Sequence, residues 1–410
     1  METKEKVKAF NHAAAINTFT LSSCDKYIVS GDNTGTFSIW DVEYNTILSV
    51  IEGDPLETIK SISFSVDSKD LLICFSGRTK NSKSKIRIFD FFDLAYEKNS
   101  LSFEEKEKET DRKDENYLYN NESIYSSSKK TSQSSIENVN VSKSKKKSKK
   151  EKEKEKEKTP SLPRILQIES LHPRREFISE STTKYVKAIY VEEDKFILIG
   201  KDDGSLEVID SSNGKKVLNK QLHSDQILDL DYHSTLRFIV TSGADGYCFV
   251  VGFDTFQVFF KFHPENPTRN INSCRLMLVN NPFLHKKKVN IDEIFDVSSN
   301  ITDKAFEDKY AHLRKAEKLP LLVFGGGQDS KLVTTTHPKD GGFEVIVYEI
   351  ISGVQLLSFQ SHFGPVNTVG CSNTSSNGGD IRDKVWLASG SEDATVRLYD
   401  IVENLKGVDV

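Results

Sequence analysis

Ser361 to Ser372 reads S-H-F-G-P-V-N-T-V-G-C-S, and Val385 to Asp400 reads V-W-L-A-S-G-S-E-D-A-T-V-R-L-Y-D. Between them lies a polar stretch. Three short apolar runs alternate with turn residues, which predicts three β-strands joined by loops. His362 opens the unit, Asp393 sits in the last tight turn, and Tyr399-Asp400 ends the third run. The turn aspartate can accept a hydrogen bond from one nitrogen of His362. The other nitrogen can reach a strand hydroxyl such as Ser389, with the aromatic ring of Tyr399 packed beside them. A satisfied polar chain of this kind pins one small sheet.

A unit of this form is a blade of a WD-type β-propeller, and it has to recur. It does so six times. The inner strands align as Ile16-x-Thr18, Ile59-x-Ser61, Val186-x-Ala188, Ile227-x-Asp229, Ile271-x-Ser273 and Val366-x-Thr368. His12 and His223 open their units as His362 does. The first unit ends its third strand on Trp40-Asp41. Its turn carries Thr34 where the last unit has Asp393, so its polar chain is expected to be incomplete or rewired. Asp203-Gly204 and Asp245-Gly246 supply the tight turns of the third and fourth units. The fold class is therefore all-β, a six-bladed propeller. Blades 1–2 lie in 1–94 and blades 3–6 in 184–401, with a tail over 402–410. Closure is expected from a strand at Lys6 to Phe10 that completes the last blade. The alternative is a seven-bladed ring with one blade missing or unrecognised.

Two segments break the period. Residues 95–183 carry acidic runs, a Ser/Asn-rich patch, S-K-S-K-K-K-S-K-K and then alternating Glu-Lys. So little apolar surface cannot offset chain ordering, and the segment reads as a disordered insertion. Within it, Leu162 to Ile168 is a candidate returning outer strand. Val141 to Lys158 holds ten Lys against four Glu. A solvated tether is the plain reading. Sharper ones are a nuclear-import signal, or a weak, salt-sensitive RNA contact through 143–158. No aromatic residue interleaves the lysines, so base stacking is not supported. A second insertion spans about 282–318, with a short helix expected around Asp303 to Lys315.

Composition narrows the function. The 410 residues are 37% hydrophobic and 29% charged, with a net charge of −5. That balance argues against a nucleic-acid surface along the whole chain. The five cysteines, Cys24, Cys74, Cys248, Cys274 and Cys371, are scattered, without C-x-x-C spacing. Neither a disulfide framework nor a zinc site is indicated, and a reducing compartment fits. The N-terminus lacks an apolar signal core and no run nears 18 apolar residues, so neither secretion nor membrane spanning is expected. The histidines show no metal spacing, and no catalytic triad or carboxylate pair stands out. Neither an enzyme nor a cofactor is expected. Gly325-Gly326-Gly327 lacks the Gly-Lys-Ser/Thr ending of a phosphate loop and reads as an irregular loop between strands.

The stretch Phe324 to Thr336, F-G-G-G-Q-D-S-K-L-V-T-T-T, is not generic repeat sequence. With Phe343-Glu344 and the opening His362-Phe363-Gly364-Pro365-Val366-Asn367, it closely resembles the family of subunit i of eukaryotic translation initiation factor 3. The matching positions include Gly325, Gly326, Gly327, Gln328, Thr334, Thr335 and Thr336. The run from Ile86 to Leu94 also looks like that family's junction between blades. The resemblance covers the repeats and excludes both insertions. It implies a cytoplasmic, non-catalytic scaffold that binds subunits b and g of the same factor and sits with the small ribosomal subunit. The family has seven blades, and Ser361 replaces a glycine of its pattern. No individual binding residue follows from it. A different WD scaffold, in ribosome assembly or signalling, is the other reading.

Overall fold

In the computed structural model the described residues are 12–96, 163–264, 270–280, 318–328, 342–372 and 385–407. Their strands form six sheets, antiparallel throughout except for one outer strand pair. Blade 1 contains β1 (Ile16–Leu21), β2 (Tyr27–Asp32), β3 (Phe37–Asp41) and β4 (Thr46–Glu52). Blade 2 contains β5 (Glu57–Phe64), β6 (Asp70–Gly77) and β7 (Lys85–Asp90), followed by a one-turn helix α1 (Phe91–Ala95) capped by the Asp90 carboxylate. The chain returns as β8 (Arg164–Gln167), which lies parallel to β4 on the outer edge of blade 1. Next, β9 (Arg175–Ile178) pairs with β7 and supplies the fourth strand of blade 2.

Blade 3 is β10 (Tyr185–Val191), β11 (Phe196–Lys201), β12 (Ser205–Asp210) and β13 (Lys216–Gln221). Blade 4 is β14 (Ile227–His233), β15 (Phe238–Gly243), β16 (Cys248–Gly252) and β17 (Val258–Phe262). Blade 5 is β18 (Asn270–Asn280), β19 (Lys318–Gly327), β20 (Val345–Glu349) and β21 (Gln355–Phe359). Blade 6 has three described strands, β22 (Val366–Cys371), β23 (Trp386–Ser391) and β24 (Val396–Asp400). A helix α2 (Ile401–Lys406), capped by Asp400, follows it.

Burial explains which residues make which strand. The third strands of blades 1 and 4, F-S-I-W-D and C-F-V-V-G, are buried along their whole length, as central strands of their sheets. The fourth strand of blade 3, K-V-L-N-K-Q, alternates because it lies at the rim. Packing then proceeds seam by seam. Phe37 and Ile39 of blade 1 meet Ile59, Ile62 and Ile73 of blade 2. Ile86 and Ile88 meet Tyr185, Ala188 and Ile197 at the next seam. Equivalent clusters fill seams 3/4, 4/5 and 5/6.

Several sequence expectations change here. Each inner strand carries a register shift, at Ile16/Thr18, Ile59/Ser61, Ile227/Asp229, Ile271/Ser273 and Val366/Thr368, where the sequence alignment puts it. In blade 3 the shift falls at Tyr185/Lys187, one residue earlier than Val186-x-Ala188. Tyr185 is buried at the seam and takes the position that a β-branched residue fills in the other blades. The 95–183 insertion is too wide at both ends: α1 ends on Ala95, and β8 and β9 lie inside it. Residues 97–162, with the 143–158 lysines, lie outside the described residues, as do Lys6 to Phe10, Asp303 to Lys315 and Thr334 to Thr336. The second insertion ends before Lys318, which opens β19. The 402–410 tail begins as helix, because Ile401 and Leu405 bury against the core between blades 5 and 6.

Candidate functional site: blade networks and the inner-strand ring

Three blades hold the polar chain read from the last repeat. In blade 6, His362 Nδ1 lies 3.0 Å from Asp393 Oδ2 and Nε2 lies 2.7 Å from Ser389 Oγ. The Tyr399 hydroxyl bonds to Ser389 and Ser361, and its ring stacks on Phe359 at 4.2 Å. In blade 4, His223 Nδ1 lies 2.9 Å from Asp245 Oδ1 and Nε2 lies 2.8 Å from Thr241 Oγ1. Gly243 is required there, because a Cβ would come within 2.3 Å of His223 Nδ1.

Blade 1 is rewired. His12 Nε2 lies 2.6 Å from Ser30 Oγ, to which Trp40 Nε1 also donates at 2.8 Å. The carboxylate comes from Asp32 at 3.2 Å from His12 Nδ1, not from the Thr34 position. Asp32 occupies the place of Gly243, so its side chain fills the space that glycine leaves open in blade 4. Thr34 instead donates to Asp32, through both its N–H and its hydroxyl. Asp32 stands in the run S-G-D-N-T-G, two residues before Thr34.

Asp203 is not brought to any histidine. It accepts from the N–H and hydroxyl of Ser205 and closes its own turn. Blade 3 carries instead a buried ion pair, Lys201 with Glu207. Gly325, Gly326 and Gly327 are not an irregular loop but the end of β19, paired with β18. Close approach selects the first two: a Cβ on Gly326 would lie 1.9 Å from Asn270 O, and one on Gly325 would lie 2.6 Å from Val366 Cγ1. Gln328 follows directly after the strand.

The inner strands carry a second network that the repeat pattern did not disclose. In blades 2 to 5 the residue after the register shift reaches across to the next blade. Ser61 Oγ accepts from Ala188 N–H at 2.8 Å, and Lys187 Nζ lies 3.1 Å from Asp229 Oδ1. Asp229 Oδ2 accepts from Ser273 Oγ at 2.6 Å and Arg275 Nη1 at 2.7 Å, and Ser273 Oγ accepts from Val369 N–H at 3.1 Å. Burial would raise the Asp229 carboxyl, but Arg275, Lys187 and the Ser273 hydroxyl outweigh it and hold it well below the carboxylate range. Two residues on, burial prevails over Arg275 and pushes Asp231 up. At Asp245 and Asp393 burial also opposes ionisation. Hydrogen bonds from His223 and Ser224 at one, and from Thr395, Phe363 and His362 at the other, lower both. Burial pushes the Cys74 and Cys371 thiols up to about 12, far from a thiolate nucleophile.

What the arrangement can do chemically is hold shape. The networks are closed on themselves within and between blades. No group of three or more His, Cys, Asp and Glu side chains is placed to hold a metal among the described residues. No helix among them is long and apolar enough to cross a membrane. Repeated four-stranded sheets round one axis, with His–Asp–hydroxyl chains in their turns, define a WD-repeat β-propeller. The family described as "WD domain, G-beta repeat" matches residues 4–41, 214–251 and 353–400.

Within that class the chain is similar to proteins named subunit I of eukaryotic translation initiation factor 3. It is 27% identical to that subunit from Kluyveromyces lactis over 220 residues, covering 54% of this chain and 49% of the relative. The Saccharomyces cerevisiae subunit is 27% identical over 209 residues, covering 50% and 45%. The Schizosaccharomyces pombe subunit is 25% identical over 213 residues, covering 51% and 49%. The chain thus spans about half the length of the curated relatives it matches. A solved structure, the designed Ika8 protein, covers 95% of the chain at 13% identity and a TM-score of 0.45.

Proposed function

We propose that this chain is a non-catalytic scaffold subunit of translation initiation factor 3, acting in the cytoplasm. The observation that carries the reading is the similarity, over half the chain, to relatives named as subunit I of that factor. The partners are other subunits of the factor, with subunits b and g as the specific expectation. Through them the chain supports assembly of the initiation complex on the small ribosomal subunit. The blade construction supports a passive role: its buried polar groups are spent on holding sheets together. A rigid propeller offers strand edges and grooves between blades, where a partner strand or helix docks. The test is affinity purification of the tagged full chain from its own cells, followed by mass spectrometry. Subunits of factor 3 should co-purify in stoichiometric amounts. Their absence, with the tagged chain folded and expressed, sinks the reading.

A further inference from the structure

In four blades the connection between the second and third strands is three or four residues long. It is 33–36 in blade 1, 202–204 in blade 3, 244–247 in blade 4 and 392–395 in blade 6. In blade 2 it is seven, from Arg78 to Ser84 between β6 and β7. Arg78 to Lys85 reads R-T-K-N-S-K-S-K, with four basic residues and no acidic one, in a chain whose net charge is −5. The extra length brings charge with it, and the blade networks do not use that charge.

The loop is fastened on three sides. The Arg78 N–H donates to Leu56 O at 2.9 Å, and the Arg78 guanidinium bonds to Asn33 O of blade 1. Lys184, just before β10, sets its ammonium among Thr79 O, Ser82 O and Ser82 Oγ. The Ser84 N–H donates to Ser179 Oγ at 3.0 Å. Gly77 leaves the room this needs, since a Cβ there would run into Ser82 Oγ. The charges stay outside. Arg78, Lys80 and Lys83 are exposed, and none makes an ion pair among the described residues. Lys60, exposed at the register shift of β5, makes none among them either. The carboxylates nearby are engaged elsewhere. Glu57 takes Lys85 and Arg87, Glu180 takes Lys216, Asp54 takes the Leu56 N–H and Asp202 takes the Lys184 N–H.

We propose that the Arg78 to Lys85 loop, with Lys60 beside it, binds the phosphodiester backbone of RNA. The inference rests on the reading of the chain as a factor 3 subunit working with the small ribosomal subunit, where RNA is the polyanion at hand. The loop carries no aromatic ring, and Tyr185 next to it is buried, so it reads phosphates and not bases, and tolerates any sequence. An acidic peptide fits less well. The loop is a folded turn without a strand edge to pair with, and Pro55 and Leu56 are the apolar groups it could offer as an anchor. What it presents is charge held in a fixed frame, which suits a partner that is itself a chain of charges. On a molecule of net negative charge, such a patch also sets the face by which a polyanion approaches.

The test is fluorescence anisotropy of labelled polyuridylate with the purified full chain at low salt. Lys80→Glu with Lys83→Glu, whose side chains bond to nothing else among the described residues, should weaken binding about tenfold or more, with the circular dichroism of the fold unchanged. Arg78, Lys80 and Lys83 replaced together by Ala should lower the slope of log affinity against log salt by about 2, at about 0.7 per phosphate contact. Ultraviolet cross-linking in the chain's own cells should recover RNA attached within 78–85. Folded variants that bind as the wild type overturn the proposal, as do cross-links confined to 143–158 or made to DNA. Polyglutamate that competes as well as RNA at equal charge also overturns it, and makes the loop a site for an acidic protein segment. The binding assay contains only this chain and RNA, so it can fail while factor 3 subunits still co-purify.

Discussion

At the scale of residues, the blades solve one problem in different ways. A histidine in the loop before the inner strand needs a carboxylate and a hydroxyl, and both must be dry. Blade 4 uses Asp245 and Thr241, and clears the approach with Gly243. Blade 1 uses Asp32 at the glycine position, with Ser30 shared between His12 and Trp40. Blade 6 keeps the arrangement of blade 4 but with one local conflict. Its turn residue Ala394 has φ of 61°, where blades 1, 3 and 4 have Gly35, Gly204 and Gly246 at φ of 80–81°. A left-handed alanine costs about 1–2 kcal/mol, part of which glycine gives back as chain entropy. Ala394→Gly should therefore stabilise the chain by about 0.5–1 kcal/mol, read as a higher urea midpoint with an unchanged slope.

Elements are tied together by the inner strands. Lys187 on β10, Asp229 on β14, and Ser273 and Arg275 on β18 form one buried charged chain across three blades. Asp229 is held below its ordinary value, so its contribution is fully present above the unfolded value of about 3.9 and is lost as pH falls through the folded one. Asp231, shifted upward, acts in the opposite sense. Urea unfolding at a series of pH values should show stability falling below about pH 4. Asp229→Asn should flatten that acid limb. It should also lower stability at neutral pH by about 3 kcal/mol, because Lys187 and Arg275 lose their buried partner. A variant that keeps the wild-type acid slope would show that the chain does not hinge on Asp229. The same scale explains the returning segment. β8 and β9 are short and half exposed, without the long apolar runs of the central strands. β8 falls within the Leu162 to Ile168 run that predicts it, whereas pairing with β7, not its own pattern, makes β9 a strand.

For the whole molecule, blade order sets the stability gradient. Among the described residues, the inner strands of blades 2 to 5 pack against an inner strand on each side, and those of blades 1 and 6 against one. In a quasi-linear array, stability is a sum of intrinsic blade terms and nearest-neighbour terms. Hydrogen exchange should therefore protect β14–β16 most and β22–β24 least. Equal protection of all six blades would show the seam between blades 6 and 1 closed.

The repeat phase, the fold class and the last-blade network were legible in the chain, because alternation, turn residues and a fixed period are local properties that each blade states for itself. His362, Ser389 and Asp393 fall within one repeat and so could be read together. The ring of Ser61, Lys187, Asp229 and Ser273 could not, since its members are about 40–130 positions apart and differ in chemistry. Only the stacking of blades puts them side by side. The same holds for the β19 glycines, whose need is set by Asn270 and Val366 on other strands. Whether Leu398 and Phe19 are core or surface is decided by what stands next to a blade, and a repeat pattern carries no record of that.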